Sequence, residues 1–465
     1  MDQLAGGLVE QSLYEVRRKI YPRAVHGAFA AWRWALVWAT QIVYYGGPWL
    51  TWNDRQAVLF DIVHRKFYLL GLVFWPQDVI YLAVLLIIAA LSLFLFTAIA
   101  GRLWCGYACP QTVYSEIFLW IERRIEGERA ARVRLDREKI GFKKFALKAT
   151  KHFLWLALAL WTGFTFVGYV TPIRELWTEV LSVSTGPWET FWIAFYGFAT
   201  YGNAGWMREQ VCKYLCPYAR FQSAMFDKET LIITYDRGRG EPRGARLRRE
   251  NYRERNLGEC VDCGICVQAC PTGIDIRNGL QYECIGCAAC IDGCNQVMDR
   301  MGYARGLIRY STTHAMEKGL ARRAMLRRAF RPRVVVYSGI LLAIIAAASA
   351  SLWLRVPLKL DVIRDRAAIA REVEGGMIEN VYRLQIMNTT EQARAFEVSV
   401  SGLPTIHVQG EATVGMPAAA SRMVPVKVRL APGRVAPGTH PIVFNLRALG
   451  AEEVAVHEKS VFIVR

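Results

Sequence analysis

Apolar residues form long blocks through the first three quarters of the chain. Val79–Ala100 holds no charged residue over 22 positions, and as a helix it would cross about 30 Å of hydrocarbon. Residues 334–354 are equally free of charge, and residues 153–173 are rich in Trp, Phe and Gly. Shorter blocks lie at residues 34–50 and, with one glutamate, at 188–207. The pattern predicts about five transmembrane helices, so we expect a multidomain membrane protein.

The last quarter of the chain has a different pattern. After residue 356, apolar and polar residues alternate in segments such as FEVSVSG and MVPVKVRL, separated by Pro- and Gly-containing turns such as APGRVAPG. Short alternating strands at regular spacing predict an immunoglobulin-like β-sandwich. Because this region has no cysteine, its core must be held by packing without an inter-sheet disulfide.

The charge of the chain, +18 at pH 7, is unevenly distributed. Lys and Arg number twenty-three in residues 207–333 and twelve in 101–151, but three in 51–78. The positive-inside rule places the N-terminus and the two rich segments in the cytoplasm and the C-terminal region in the periplasm. Membrane orientation therefore explains the charge, with residues 318–333 resting on anionic lipid, and we expect no nucleic-acid partner.

These patterns divide the chain into five parts. The N-terminus shows no cleavable signal peptide, so the first span is expected to stay as an anchor. The predicted parts are a cytoplasmic N-terminal segment (1–33), four transmembrane helices with a basic cytoplasmic loop (34–206), a cytoplasmic two-cluster ferredoxin domain with a juxtamembrane basic helix (207–333), a fifth transmembrane helix (334–355) and a periplasmic immunoglobulin-like domain (356–465).

The cysteines carry the chemistry. All twelve fall between Cys105 and Cys294, on the predicted reducing side of the membrane, so we expect ligands or redox groups rather than structural disulfides. Eight form two C-x2-C-x2-C-x3-C runs, typical of a ferredoxin with two [4Fe-4S] clusters in which the fourth ligand comes from the other run. Pro271 follows the first run, whereas Asn295 replaces proline after the second. The predicted ligand sets are Cys260, Cys263, Cys266 and Cys294 for one cluster and Cys270, Cys284, Cys287 and Cys290 for the other.

The other four cysteines form two matching C-x-x-x-C-P motifs, each after a predicted span that runs inward. They are Cys105 with Cys109, and Cys212 with Cys216. Four thiolates at the cytoplasmic face would suit a soft ion such as Cu(I), so a site of this kind favours the reduction of Cu(II). The residues leave other interpretations open: a dithiol/disulfide redox pair, another iron–sulfur cluster, or buried structural cysteines.

Other redox cofactors have no sequence support. The histidines show no pair at ligand spacing on one predicted span, which argues against a haem b site. No G-x-G-x-x-G follows a predicted strand, so neither a nicotinamide nor a flavin site is expected. Electrons must therefore come from a separate cytoplasmic donor.

The order of these parts resembles a known family. Two C-x-x-x-C-P motifs after membrane spans, a two-cluster ferredoxin insertion, a final span and an immunoglobulin-like domain resemble the cytochrome c oxidase accessory proteins called CcoG, FixG or RdxA. The resemblance implies an oxidoreductase of the bacterial inner membrane that reduces Cu(II) to Cu(I) for assembly of the cbb-type oxidase. It also implies that Cys105, Cys109, Cys212 and Cys216 are the functional membrane motifs.

The resulting hypothesis is one-electron transfer from a cytoplasmic donor through two [4Fe-4S] clusters to copper at the four membrane-face cysteines. The periplasmic domain would dock the cbb-type oxidase or a copper-transfer assembly factor. Two alternatives stay open: a quinol-linked electron-transfer subunit of the periplasmic nitrate reductase type, and a copper-binding assembly scaffold without turnover.

Overall fold

The computed structural model of the chain describes residues 19–365, 370–410, 412–450 and 454–464. Most of the predicted N-terminal segment thus lies outside the described residues. The α-helices, numbered along the chain, are α1 Ala28–Gly46, α2 Val79–Ala100, α3 Leu103–Tyr107, α4 Pro110–Glu126, α5 Arg129–Arg137, α6 Phe142–Val167, α7 Ile173–Leu181, α8 Pro187–Thr200, α9 Pro217–Met225, α10 Arg237–Gly240, α11 Ile265–Gln268, α12 Ala289–Met301, α13 Thr313–Lys318, α14 Arg322–Arg327 and α15 Pro332–Trp353.

Two π-helical segments, Tyr201–Met207 and Val211–Leu215, lie between α8 and α9. The strands are β1 Thr51–Trp52, β2 Arg55–Gln56, β3 Val58–Asp61, β4 Lys66–Leu69, β5 Leu72–Phe74, β6 Ile232–Tyr235, β7 Ile308–Ser311, β8 Leu358–Arg364, β9 Arg371–Val373, β10 Met377–Asn388, β11 Arg394–Ser401, β12 His407–Gln409, β13 Thr413–Met416, β14 Ser421–Leu430, β15 Gly438–Ala448 and β16 Ala455–Val464.

The chain forms two compact units. The first comprises residues 1–44, 91–164 and 190–338 and contains all twelve cysteines. The second comprises residues 45–90, 165–189 and 339–465. All the candidate chemistry therefore belongs to the first unit.

Two helices have the length and composition of membrane spans. Within the described residues these are Pro76–Ala100, which includes α2, and α15. The side chains of α2 are largely exposed, with Leu86 62% and Leu85 57% accessible. A continuous apolar surface of this kind suits hydrocarbon and would be unfavourable in water.

Helices also occur at the other three predicted spans. They are α1, α6 and α8, but each differs from a simple span. Arg33 lies in the second turn of α1, α6 begins with several lysines, and α8 ends after 14 residues and continues as the π-helical segment Tyr201–Met207. Five transmembrane helices, and their orientation, therefore stay a prediction.

The predicted ferredoxin insertion is built around a two-stranded antiparallel sheet. β6 and β7 pair with Ile232 opposite Ser311, and the two cysteine runs lie between them along the chain. The buried residues around this sheet combine apolar side chains with cysteines, including Ile233, Met298 and Cys266. The cysteine runs are thus part of the core of the domain.

The second unit contains a β-sandwich. One sheet has the order β12-β14-β10-β8, with β9 also pairing β10, and the other has the order β13-β11-β15-β16, with every pairing antiparallel. Residues from both sheets form one buried core, in which Tyr382 and Phe444 meet edge to face at 4.9 Å between ring centroids. The sandwich predicted from the alternating pattern is therefore confirmed.

Candidate metal centres

The two cysteine runs fold into the same backbone turn. In the first run Asp262 and Gly264 have positive φ, and in the second Gly286 and Ala288 do, so both residues flanking the second cysteine are left-handed in each case. A helix begins at the next residue, the four-residue α11 in the first run and the 13-residue α12 in the second. The left-handed conformation is costly for Asp262 and Ala288, and such strain is often found at functional sites. The repeated turn curls each run so that its first three cysteines face one cavity.

Each run is completed by a cysteine from the other. The first cavity is lined by Cys260, Cys263, Cys266 and Cys294. The second is lined by Cys270, Cys284, Cys287 and Cys290, with Cys266 shared. The four cysteines predicted to bind each cluster therefore line the same cavity. Their coordination of a cluster is a proposal.

The surroundings fit a cluster better than a single metal ion. Apart from the cysteines the cavities are lined mainly by apolar side chains such as Ile274, Ile276 and Leu307. Among the described residues, no three His, Cys, Asp or Glu side chains converge on one ion position. A tetrahedral zinc site would gather its sulfurs about 2.3 Å from one point, whereas a cubane spreads them over several irons. The donor set and the dry lining suit [4Fe-4S] clusters.

Burial disfavours the free thiolate at Cys266, Cys284 and Cys294. It raises the pKa of Cys284 and of Cys294 to about 12 and that of Cys266 to about 11, and neighbouring cysteines add to the rise in each case. A coordinating metal removes this penalty because it binds the thiolate directly. Thiols in such surroundings are suited to permanent metal ligation rather than to reaction as free nucleophiles.

The two cavities differ in their access to solvent. All twelve cysteines lie in the described part of the chain, and of these only Cys263, at the edge of the first cavity, is exposed to solvent. Cys287, in the second cavity, is buried. The first cavity thus reaches solvent at Cys263, whereas the four cysteines of the second cavity are buried or half-buried.

The four remaining cysteines, here called the thiol quartet, are Cys105, Cys109, Cys212 and Cys216. Each motif places its first cysteine in a helical turn and its second in extended backbone, followed by a proline that starts α4 or α9. Proline suits the first position of a helix, where its missing N–H is not needed. In both motifs the helical turn therefore ends before the second cysteine.

The structure brings the two motifs of the quartet near each other, although within the described residues no three of their thiols converge on one ion position. Burial raises the pKa of Cys212 to about 12, and the three other quartet thiols raise it further. Cys105 donates a hydrogen bond from Sγ to Oε1 of the buried Gln222 at 3.4 Å. Cys105 and Cys212 also pack against one apolar cluster that includes Ile285 and Cys287.

A glycine contact joins the quartet to the second cavity. Gly106, between the two cysteines of the first motif, lies so close to the second run that an added Cβ would be 2.7 Å from both N and Cα of Cys287. Only glycine allows this approach of the two backbones. The first motif of the quartet therefore rests directly on the loop that lines the second cavity.

Two buried arginines lie beside the same loop. Arg33 of α1 donates a hydrogen bond from its guanidinium to the carbonyl oxygen of Cys287 at 2.9 Å. Arg102 donates to the carbonyl oxygens of Tyr282 and Ala219. Both arginines are less than 9% exposed, so their positive charges act on the second cavity in a region of low dielectric constant.

The sequence interpretation assigned no role to these supporting residues. In the sequence, Arg33 lies at the boundary of a predicted transmembrane span, and Gly106 is one of the three residues between Cys105 and Cys109. A glycine inside a C-x-x-x-C-P motif and an arginine at the start of an apolar block were the available signals. Neither signal reveals a partner more than 180 residues away.

Known families match three parts of the chain. Residues 207–313 match a 4Fe-4S dicluster domain, residues 82–127 match a 4Fe-4S binding domain, and residues 348–465 match the IG-like fold at the C-terminal of FixG. The first match covers both cysteine runs, and the second covers Cys105 and Cys109.

Full-length relatives share the whole arrangement. The nitrogen fixation protein FixG of Rhizobium meliloti is 36% identical, over 98% of this chain and 93% of that protein. Two proteins of Cereibacter sphaeroides are similarly close: RdxB is 37% identical over 97% of each chain, and RdxA is 39% identical over 89% of each.

The fold and the site define an iron–sulfur electron-transfer protein, in which a two-cluster ferredoxin domain is joined to apolar helices and an immunoglobulin-like β-sandwich. The chain belongs to the FixG/RdxA family. The family resemblance noted from the cysteine motifs is thereby confirmed.

Proposed function

We propose that this protein is a cupric reductase that converts Cu(II) to Cu(I) at the thiol quartet, using single electrons from a cytoplasmic donor. The observation that carries the proposal is the contact between Gly106 and Cys287, which sets the first motif of the quartet beside a cavity suited to an iron–sulfur cluster. An electron held at that cavity has a short path to an ion at the quartet.

The chemistry of the quartet determines the direction of the reaction. Thiolates prefer Cu(I), whereas Cu(II) prefers nitrogen and oxygen ligands in a tetragonal field. Cu(II) bound among the four sulfurs gains one electron and becomes Cu(I), and one donor electron is consumed for each ion. Gln222, which accepts the hydrogen bond of Cys105, fixes the orientation of that thiol before the ion binds.

The eight cysteines of the two runs would hold two [4Fe-4S] clusters as permanent cofactors. When bound, each cluster supplies a one-electron carrier. The apolar side chains that line the second cavity limit its contact with water, and Arg33 and Arg102 supply positive charge that favours an added electron beside Cys287.

The wider role follows from the family. By its resemblance to the oxidase accessory proteins, this chain would be a multi-pass protein of the bacterial inner membrane that supplies Cu(I) for the cbb-type cytochrome c oxidase. The C-terminal β-sandwich would lie in the periplasm and bind the oxidase or a copper-transfer assembly factor. This placement agrees with the positive-inside distribution of Lys and Arg.

The test is anaerobic Cu(II) reduction by the purified full-length protein after its clusters have been reduced with dithionite and excess reductant removed. Cluster bleaching and capture of Cu(I) by a chelator are followed together. We expect one Cu(I) for each electron lost by the clusters, and a Cys105→Ala/Cys212→Ala variant that keeps its clusters but loses at least about nine-tenths of Cu(I) formation.

The matched control removes two other side chains of types that can bind copper, a histidine and a methionine. His407→Ala/Met423→Ala, on exposed positions of the β-sandwich, should behave like the wild type. Cluster oxidation that ignores copper but responds to a quinone analogue would instead support the quinol-linked subunit. Copper binding at the quartet without oxidation of the clusters would support the scaffold.

A second candidate for the quartet is a further [4Fe-4S] cluster. The match of residues 82–127 to a 4Fe-4S binding domain favours it, because that segment contains Cys105 and Cys109. Iron analysis separates the two: two clusters correspond to roughly eight iron atoms for each chain, and a third raises this to roughly twelve. In that case Cys105→Ala/Cys212→Ala would lose about four iron atoms as well as Cu(I) formation.

A further inference from the structure

One segment beside the first cavity is unusually rich in arginine. Residues 236–259, here called the arginine loop, contain eight arginines and five carboxylates. Some of these arginines are neutralised locally, such as Arg239 by Glu259 and Arg255 by Glu250. Arg237, Arg248 and Arg249 are exposed and leave a net positive surface.

The arginine loop is attached directly to the first cysteine run. The backbone N–H of Gly244 and the guanidinium of Arg246 both donate to the carbonyl oxygen of Cys260 at 3.2 Å. Arg243 Nε lies 3.9 Å from an Asp262 carboxylate oxygen, next to the exposed Cys263. The loop therefore forms a basic rim at the point where the first cavity reaches the surface.

Within the part of the chain that the structure describes, the second cavity has no exposed cysteine at its edge. Cys287 is buried, its carbonyl oxygen accepts a hydrogen bond from Arg33, and Gly106 packs directly against its backbone. Electron transfer weakens steeply with distance, so an external donor gains most by approaching at Cys263.

We infer that the arginine loop and the exposed Cys263 edge form the docking surface for an acidic, soluble one-electron carrier protein, which delivers electrons to the first cavity. This inference rests on the proposed function, for which it names the class of donor. Transient electron-transfer complexes bury little surface and depend on charge complementarity for fast, oriented association. Arginines around an exposed cluster edge provide that complementarity for a carrier with a carboxylate-rich face.

The test measures binding and electron transfer separately. The full-length protein is placed in phosphatidylcholine nanodiscs, and a plant-type [2Fe-2S] ferredoxin, which is strongly acidic, is the probe. Affinity for the oxidised ferredoxin is measured by titration at increasing salt concentration. Reduction of the clusters by the reduced ferredoxin is followed by stopped-flow spectroscopy, with photoreduced deazaflavin as a donor that needs no docking surface.

The key variant reverses three exposed charges of the loop, Arg237→Glu/Arg248→Glu/Arg249→Glu. We expect its affinity for ferredoxin to fall at least tenfold and its dependence on salt to weaken, while reduction by deazaflavin is unchanged. The matched control makes the same charge change on exposed positions of the β-sandwich, Arg383→Glu/Arg422→Glu/Arg434→Glu, and should bind like the wild type. Replacing the three loop arginines with lysine should retain most of the affinity.

The inference is overturned if the loop variant binds and accepts electrons from ferredoxin as well as the wild type, or if the β-sandwich control loses as much affinity. It is also overturned if phosphatidylglycerol in the nanodisc abolishes ferredoxin binding, since the loop would then face lipid. Copper is absent from every arm. A failure here leaves the cupric reductase proposal standing, and a failure of Cu(II) reduction by dithionite-reduced protein leaves the docking result standing.

Discussion

The carboxylate of Asp292 accepts a hydrogen bond from the backbone N–H of Ala30 at 2.7 Å, although the two residues are 262 positions apart. Asp292 lies in α12 between Cys290 and Cys294, and Ala30 lies in the first turn of α1. The first amides of a helix have no partner within the helix, and a side-chain acceptor at this end stabilises it. The helix that carries two proposed cluster ligands therefore also caps the first helix of the chain.

Removing this cap should loosen the start of α1. Asp292→Ala leaves the amides of Phe29 and Ala30 without their acceptor, at a cost of about 0.5–2 kcal/mol, whereas Asp292→Asn keeps an oxygen in place. Hydrogen–deuterium exchange of a peptide covering residues 27–36 should be faster in the alanine variant and nearly unchanged in the asparagine variant. Equal exchange in Asp292→Ala and wild type would mean that α1 is held by its other contacts.

The charge of Arg33 should set the reduction potential of the second cluster. A unit charge about 8 Å away, at an effective dielectric constant of about 20, is worth about 2 kcal/mol, or on the order of 90 mV for one electron. Because a positive charge stabilises the reduced state, Arg33→Gln should lower the potential by on the order of 50–100 mV. Redox titration followed by electron paramagnetic resonance would measure the shift.

Two variants separate charge from packing at this position. Arg33→Lys keeps the charge and should shift the potential less than Arg33→Gln. Arg124→Gln removes the same charge from an exposed position and should have almost no effect, because water screens it. A similar shift in all three variants would indicate a general loss of structure instead of local electrostatics.

Gly106 should control the transfer of electrons from the clusters to the quartet. In Gly106→Ala the new Cβ would meet the backbone of Cys287, which is less able to move than a flexible side chain, so the two loops must separate. We expect the variant to keep its iron and to bind copper, but to oxidise its reduced clusters with Cu(II) at least about tenfold more slowly. Gly141→Ala, where a Cβ meets no atom within 4 Å, is the matched control. Unaltered kinetics in Gly106→Ala would exclude this contact as the path.

The parts of the structure that the sequence predicts depend on neighbouring residues, whereas the parts that it does not predict depend on contacts between residues far apart in the chain. The β-sandwich and α2 follow from local patterns of alternation and hydropathy, and the cysteine spacing alone indicated which residues would share a cavity. The contacts of Asp292 with Ala30 and of Gly106 with Cys287 connect segments that are distant in the sequence. Such contacts produce no periodic pattern of residues from which they could be predicted.

The helices at the other predicted spans illustrate the same limit. Residues such as Arg33 and Lys151 interrupt the apolar pattern in α1 and α6, and both are buried in the structure. Lys151 lies 2.9 Å from the Glu126 carboxylate, a partner in another helix. Hydropathy assigns such charges to the surface because it contains no information about the partner.

The β-sandwich contains a buried carboxylate whose contribution should depend on pH. Glu379 of β10 is fully buried, and its strand neighbours on either side are Arg371 and Arg429. Arg371 and Arg429 each donate a hydrogen bond from Nε to the carboxylate at 2.8 Å. Although burial raises the pKa of Glu379, the two arginines outweigh it and hold the pKa below its usual value of 4.5.

A carboxylate with a lowered pKa in the folded state stabilises that state fully above its unfolded pKa, and the contribution is lost as the pH falls through the folded pKa. Glu379→Gln should therefore destabilise the β-sandwich by about 1–3 kcal/mol at pH 7, with the difference shrinking below about pH 4.5. Pulse proteolysis of the full-length protein in urea, following the fragment from residues 356–465, gives this free energy at each pH. Glu397→Gln breaks the exposed pair with Arg447 and should cost little at any pH. If the two variants lost equal stability at pH 7, or if the loss in Glu379→Gln did not shrink as the pH falls below about 4.5, the carboxylate would act through its shape and not through its charge.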